Sequence, residues 1–308
     1  MIARHFRPLA GPGALDLLDD AAVFSLPPGM QLVMSADAIV EGVHFLSSDP
    51  ADLVAKKLLR VNLSDLAAMG AKPYGYLLTV SLPRSITADW LDAFAAGLAA
   101  DQAEFGVILL GGDTTGTPGP ISLSLTILGT VEPGRALRRA GARPGDDLWV
   151  SGTIGDGALG LLAAQGKYPD PDGFLADRYR VPRPRIFLGR ALAGIATAAM
   201  DVSDGLIQDA GHLCRAGGVG LTIEAARVPI SPAAAGSELV LRLTGGDDYE
   251  LLFAAPESRA DAVLAAGAAA DVSVTRIGRI RAGDSVAVQD ETGALMPLPS
   301  GGWDHFGG

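Results

Sequence analysis

The chain of 308 residues carries a formal net charge of −11 and a single cysteine, and 48% of its residues are apolar. The negative charge argues against nucleic acid or an anionic membrane surface as a partner, and one cysteine excludes an internal disulfide framework or a cysteine-only zinc site. No uninterrupted apolar run reaches the roughly 18 residues of a membrane span, and no signal-peptide core follows Met1–Pro8, so a cytoplasmic protein of two domains is expected.

Taken in chain order, Asp19-Asp20 precede a predicted strand at 21–24, and residues 31–39 (QLVMSADAI) read as a strand entering a polar turn. Residues 52–69 read as a helix started by Asp49-Pro50 and closed by Gly70, with Asn62 and Asp65 three apart on one face. A strand over 77–82 comes next, then a helix from the capping Thr87 to Phe105, stopped by Gly106. The apolar run 107–110 predicts a buried strand delivering Gly111-Gly112-Asp113, and 121–131 alternates as a long strand. The stretch 139–147 (RAGARPGDD) is rich in Gly, Pro and charge and divides the chain into domains at 1–138 and 139–308. Beyond it the pattern predicts strands at 147–151, 220–224, 249–254, 272–280 and 285–289, and helices at 156–165, 184–200, 206–216 and 258–268. The order is not a regular β-α-β-α alternation, which favours an α+β fold over a doubly wound sheet.

Six short segments set aspartates among small residues: Asp19-Asp20, Ser35-Ala36-Asp37, Asn62-Leu63-Ser64-Asp65, Gly111-Gly112-Asp113, Asp201-Val202-Ser203-Asp204 and Gly245-Gly246-Asp247-Asp248. Most fall where an apolar run gives way to a loop. Gathered there, carboxylates repel one another unless a hard cation sits between them. Several Mg²⁺ ions holding a polyphosphate resolve that conflict and predict phosphoryl transfer. Lysine is scarce (Lys56, Lys57, Lys72, Lys167) and no P-loop is present, so metal ions must supply most of the countercharge to a bound ATP. Asp65, set among Leu63, Leu66 and Met69, reads as a buried unpaired carboxylate and hence a metal ligand. Asn62-Leu63-Ser64-Asp65 and Asp201-Val202-Ser203-Asp204 each precede a Gly-Gly-Asp by a similar distance, a faint echo between the halves. Gly155-Asp156-Gly157-Ala158-Leu159-Gly160 matches G-x-G-x-x-G, but the strand and acid that a dinucleotide site needs about 20 residues on are replaced by the loop at 166–173.

Together these segments resemble the thiamine-monophosphate kinases of the aminoimidazole-ribonucleotide-synthetase-like superfamily. The run Asn62–Ala71 (NLSDLAAMGA) and Gly245–Phe253 (GGDDYELLF) carry the resemblance, with Asp37 through Gly42-Val43-His44-Phe45, Gly111–Thr115, Arg139, Met200–Leu206 and Trp303–Phe306 in order along the whole chain. The resemblance implies an N-terminal mixed α/β domain that builds a dimer barrel and holds ATP and Mg²⁺, followed by a C-terminal α/β domain. The implied activity is ATP-dependent phosphorylation of thiamine monophosphate by a homodimer, by direct transfer without a phosphoenzyme. It implies Asp20, Ser35, Asp37, Asp65, Asp113, Asp201 and Asp204 as metal ligands, Gly112, Asp113, Arg139 and Ser203 as ATP contacts, and His44, Asp247 and Trp303 as contacts to the thiamine phosphate. Asp113, Asp204 and Arg139 are the residues expected in catalysis. Leu18 and Ala36 depart from the Gly and hydroxyl residue usual there, and Asp247 and Trp303 from Glu and Tyr. A sister enzyme with another acceptor, or a non-catalytic nucleotide-binding paralogue, is the alternative.

Overall fold

The computed structural model describes residues 1–297. It contains two compact units, one of Met1–Leu66 with Ala71–Gly134, the other of Ala67–Gly70 with Arg135 onward.

In the first unit short helical turns over the first 17 residues precede β1 (Gln31–Val40), α1 (Ala51–Ala68), β2 (Lys72–Pro83), α2 (Ala88–Phe105), β3 (Ile108–Thr117) and β4 (Ser122–Val131). The strands form one sheet in the order β1-β4-β2-β3. β4 pairs antiparallel with both β1 and β2, and β2 runs parallel to β3 because α2 supplies the crossover between them. α2 begins and ends as its caps dictate: the Thr87 hydroxyl accepts from Trp90 N–H, and Gly106 closes the helix. Leu58, Leu59, Leu63, Phe94 and Leu98 are fully buried. Within that core Arg60 makes a bidentate pair with the buried Asp101, which satisfies both charges away from water.

The second unit runs β5 (Asp147–Ser151), α3 (Asp156–Ala164), α4 (Phe174–Arg180), α5 (Ile186–Leu192), β6 (Ala198–Asp201), α6 (Leu206–Gly217), β7 (Gly220–Glu224), α7 (Leu239–Thr244), β8 (Leu251–Ala255), α8 (Ala260–Ala269), β9 (Val274–Arg281) and β10 (Val286–Gln289). Its sheet has the order β10-β7-β9-β5-β8-β6, antiparallel except for β10 against β7. Leu148, Val150, Leu206, Leu213, Leu221, Ile223, Leu252 and Ile277 make up much of the core beneath it. The fold is α+β with two mixed sheets, as the irregular element order implies.

Four expectations need correction. The predicted strand at 21–24 is irregular chain, in which Val23 N–H donates to Gly13 O. Gly111-Gly112-Asp113 lies inside β3, not beyond its end. The predicted helix at 184–200 is α5 followed by β6: Gly194, with φ +85°, separates them, and the apolar run Ala198–Met200 is a fully buried strand that pairs with β8. Helices α4 and α7 occupy stretches where none is predicted.

Candidate functional site

In the first unit, the pleat of β1 places Ser35 and Asp37 on one face, and the helical spacing of Asn62 and Asp65 aims both at it. The Ser35 hydroxyl donates to Asp65 at 2.5 Å, and Asp37 N–H donates to Asn62 Oδ1 at 3.0 Å. Asn62 is fully buried and spends its amide N–H on Leu58 O, so it is fixed on both sides. Asp65 is therefore half-buried and partnered, not the buried unpaired carboxylate expected of it. Asp37 is exposed.

On the opposite edge of the sheet Asp113 sits in β3 opposite Thr79 of β2. Gly112, with φ +152°, brings the two backbones so close that a Cβ there would stand 1.8 Å from Leu78 O. A cavity of about 570 Å³ opens beside it, lined by Asp19, Asp20, Thr79, Gly112 and Asp113 together with apolar residues such as Phe24 and Leu77. His44 accepts the Val40 N–H on Nδ1, which assigns its proton to Nε2, and its carbonyl accepts from Lys57 Nζ.

In the second unit β6 ends at the buried Asp201, and the chain turns through Val202-Ser203-Asp204 into α6. Asp209, in the first turn of α6, accepts the N–H groups of both Ser203 and Asp204 at 3.0 Å. Burial, and then the neighbouring Asp201 and Asp204, push Asp209 up to about 8. Among the described residues, Asp204, Asp209 and His212 are the one group of acids or histidines whose ligand atoms all lie within 4.8 Å of one another. The His212 ring is shifted down by burial and then by Arg215 and Arg139, which places the exposed Arg139 within electrostatic reach of this corner.

The Gly245–Asp248 loop lies against the same turn. Asp247 N–H donates to Ser203 O and Tyr249 N–H to Val202 O, each at 2.8 Å. Asp247 adopts φ +70° and its carboxylate accepts from Tyr249 OH at 3.2 Å. Its neighbour Asp248 points the other way, into the protein. There it accepts from Gly155 N–H at 2.8 Å and Gly157 N–H at 3.0 Å, at the N-terminus of α3. The backbone N–H groups of the G-x-G-x-x-G segment are thus already satisfied, by a carboxyl group of the same chain. Gly157 serves close packing, since a Cβ there would lie 2.3 Å from Asp247 O. Below the loop the fully buried Glu250 is clamped by Arg178, Arg185 and the Ser151 hydroxyl.

The structure thus joins Ser35 to Asp65, places Asp37 beside them, gathers Asp20, Gly112 and Asp113 on one cavity, and joins Ser203 to Asp247. It gives the two matched tetrapeptides different settings: Asn62–Asp65 lies within α1, whereas Asp201–Asp204 bridges β6 and α6, so the echo between the halves is not structural. Trp303 lies outside the described residues. Asp209 and Glu250 were not singled out from the sequence, and Asp248 figured there only as part of the Gly-Gly-Asp-Asp segment, without a role of its own. An acid in a helix's first turn is a signal for Asp209, whereas the partners of Asp248 lie more than 90 residues away.

Two family descriptions match the chain: "AIR synthase related protein, N-terminal domain" over residues 18–131 and "AIR synthase related protein, C-terminal domain" over 143–291. A thiamine-monophosphate kinase of Caulobacter vibrioides is 46% identical, across 99% of this chain and 89% of that protein. The crystal structure of thiamine-monophosphate kinase from Stenotrophomonas maltophilia K279a superposes with a TM-score of 0.83 at 42% identity, covering 88% of this chain and 89% of that one. A structure described as AaThiL complexed with AMPPCP and TMP gives 0.80 at 30% identity, covering 98% of both chains. The chain belongs to the AIR synthase related family and, within it, to the thiamine-monophosphate kinases.

Proposed function

We propose that this chain transfers the γ-phosphoryl group of ATP to thiamine monophosphate, forming thiamine diphosphate and ADP, with several Mg²⁺ ions bound. One observation carries the reading: the Asp201–Asp204 turn and the Asp247 loop, expected on ATP and on thiamine phosphate, are hydrogen-bonded to each other. The similarity to a structure described as holding AMPPCP and TMP, across 98% of both chains, supports the same pair of ligands.

The donor set suits magnesium. Asp20, Ser35, Asp37, Asp65, Asp113, Asp201 and Asp204 offer only hard oxygen atoms; Asp209 is raised first by burial and then by Asp201 and Asp204, and a divalent cation beside those two would relieve their repulsion. When bound, such ions neutralise the charge that develops on the transferred group. The chain's own residues do the positioning. Gly112 presents backbone beside Asp113 without a side chain in the way, Ser203 is held at a turn by Asp209, and Arg139 supplies a guanidinium to an anionic oxygen. The acceptor is a phosphate oxygen already ionised at neutral pH, so no general base is needed. In direct transfer the bond from the γ-phosphorus to the β–γ bridging oxygen breaks, ADP keeps that oxygen, and a new P–O bond forms to the acceptor. In this reading the first unit binds ATP and Mg²⁺ and dimerises, and the domain boundary lies near residue 138. Met34 and Leu32 of the edge strand β1, 63% and 38% exposed, support a second copy as the cover of that face. We place the protein in the cytoplasm, in keeping with the free Cys214 thiol. Among the described residues no helix is long and apolar enough to cross a membrane.

The test is ATP turnover with Mg²⁺, with and without thiamine monophosphate, with the thiamine phosphates separated. Thiamine diphosphate formed in step with ADP, and lost in Asp113→Asn, is the expected result. ATP binding without diphosphate formation would reassign the chain to another acceptor.

A further inference from the structure

We infer that Asp209 is a positioning residue that sets the geometry of both ligand-facing loops of the second unit, an inference that rests on the kinase reading above. The N–H groups of Ser203 and Asp204 converge on a single oxygen of Asp209, Oδ2, at 3.0 Å each. Two donors occupy both lone pairs of that oxygen, which makes it the anchor of the turn. The other side of the same turn anchors the second loop: Ser203 O accepts from Asp247 N–H and Val202 O from Tyr249 N–H. There is no slack between them, since a Cβ on Gly246 would stand 2.3 Å from Ser203 O. Asp209 itself is buried on α6, and the charged groups facing it are Asp201, Asp204 and His212. One acceptor atom therefore fixes Ser203 and Asp204 directly and Asp247 through one peptide group. What the site requires of residue 209 is the oxygen, not its charge.

The test compares Asp209→Asn with Asp209→Ala in the full-length protein. Asparagine keeps an acceptor oxygen in place; alanine leaves the two N–H groups without one. The expected result is that Asp209→Asn stays within about threefold of the parent, while Asp209→Ala raises the KM for ATP and for thiamine monophosphate together and lowers kcat/KM by about 10- to 100-fold. Calorimetric binding of Mg²⁺ with AMPPCP should weaken in Asp209→Ala and not in Asp209→Asn. Equal losses in both variants, with a higher Mg²⁺ requirement, would make Asp209 a metal ligand and overturn the inference. Parent-like constants in Asp209→Ala, or a loss that merely tracks its melting temperature, would overturn it too. If Asp209→Ala does not fold, Gly246→Ala carries the test by driving a Cβ against Ser203 O: it should raise the KM for thiamine monophosphate, and parent values would refute the coupling. A parent protein that makes no thiamine diphosphate defeats the kinase reading alone, because the calorimetric comparison still reports on the turn.

Discussion

Replacing Gly112 by alanine tests whether Asp113 is held in place by the close approach of β2 and β3. The new Cβ would start 1.8 Å from Leu78 O and 2.6 Å from the Leu78 carbonyl carbon, against the 3.0 Å that real Cβ atoms keep. The strand has to retreat by about 1.2 Å, and both contacts are backbone, so no side chain can swing aside. Gly112 also sits at φ +152°, where an L side chain is strained. Overpacking of this kind costs about 1–3 kcal/mol, which lowers Tm by roughly 2–10 °C in a chain of this size. Asp113 is the next residue and travels with the strand, and a displacement of about 1 Å costs on the order of 100-fold in rate. Gly116 on the same strand provides the control, because a Cβ there meets nothing within 4 Å. ADP release with thiamine monophosphate, alongside thermal melts, should show Gly112→Ala crippled and Gly116→Ala close to the parent. A Gly112→Ala variant with kcat/KM within about threefold of the parent would refute the reasoning, since a shift of this size should cost far more.

Glu250→Gln leaves the Arg178 and Arg185 guanidiniums facing a neutral amide in the interior, and urea melts should show a loss of about 3–5 kcal/mol. An unchanged midpoint would mean that the clamp is not what holds the loop. Asp209 and Asp248 are each pushed up to about 8, chiefly by burial, from an ordinary value of 3.8. Their contribution to stability is fully present below about pH 4 and is lost as pH rises through 8, so urea melts in EDTA should weaken between pH 5 and 8.5. Asp248→Asn should flatten that slope, and stability that climbs over the same range would contradict both assignments. Removing divalent ions with EDTA should abolish turnover reversibly, with excess Mg²⁺ restoring it; activity that survives chelation would dismiss the metal role of the aspartates.

Much of the architecture is legible in the sequence where its cause is local. Thr87 and Gly106 bound α2 because capping needs only neighbouring backbone, and the shared face of Asn62 and Asp65 follows from helical spacing. What meets that face is not local: the pairing with Ser35 and Asp37 depends on β1 lying across α1, so Asp65 reads as unpaired until the structure supplies its partner. Gly111-Gly112 reads as a loop because paired glycines usually break strands, whereas here Gly112 lets β3 pair tightly with β2. The alanine- and leucine-rich stretch after Pro184 carries a helical pattern that Gly194 interrupts and burial in the sheet overrides. Glu250 and the role of Asp248 are missed for a related reason: their work is to satisfy backbone and guanidinium groups far away in the chain.

The adjacent aspartates of the Gly-Gly-Asp-Asp loop face opposite ways, and this divides their evolutionary freedom. If Asp247 faces the thiamine phosphate as proposed above, a change there alters what the loop offers to a ligand and can be absorbed by a new chemistry. A change at Asp248 leaves the Gly155 and Gly157 N–H groups at the start of α3 without their acceptor, whatever the ligand is. A descendant of this chain that abandoned thiamine phosphate should therefore shed Asp247 early and keep Asp248, a residue of the fold that outlives the reaction.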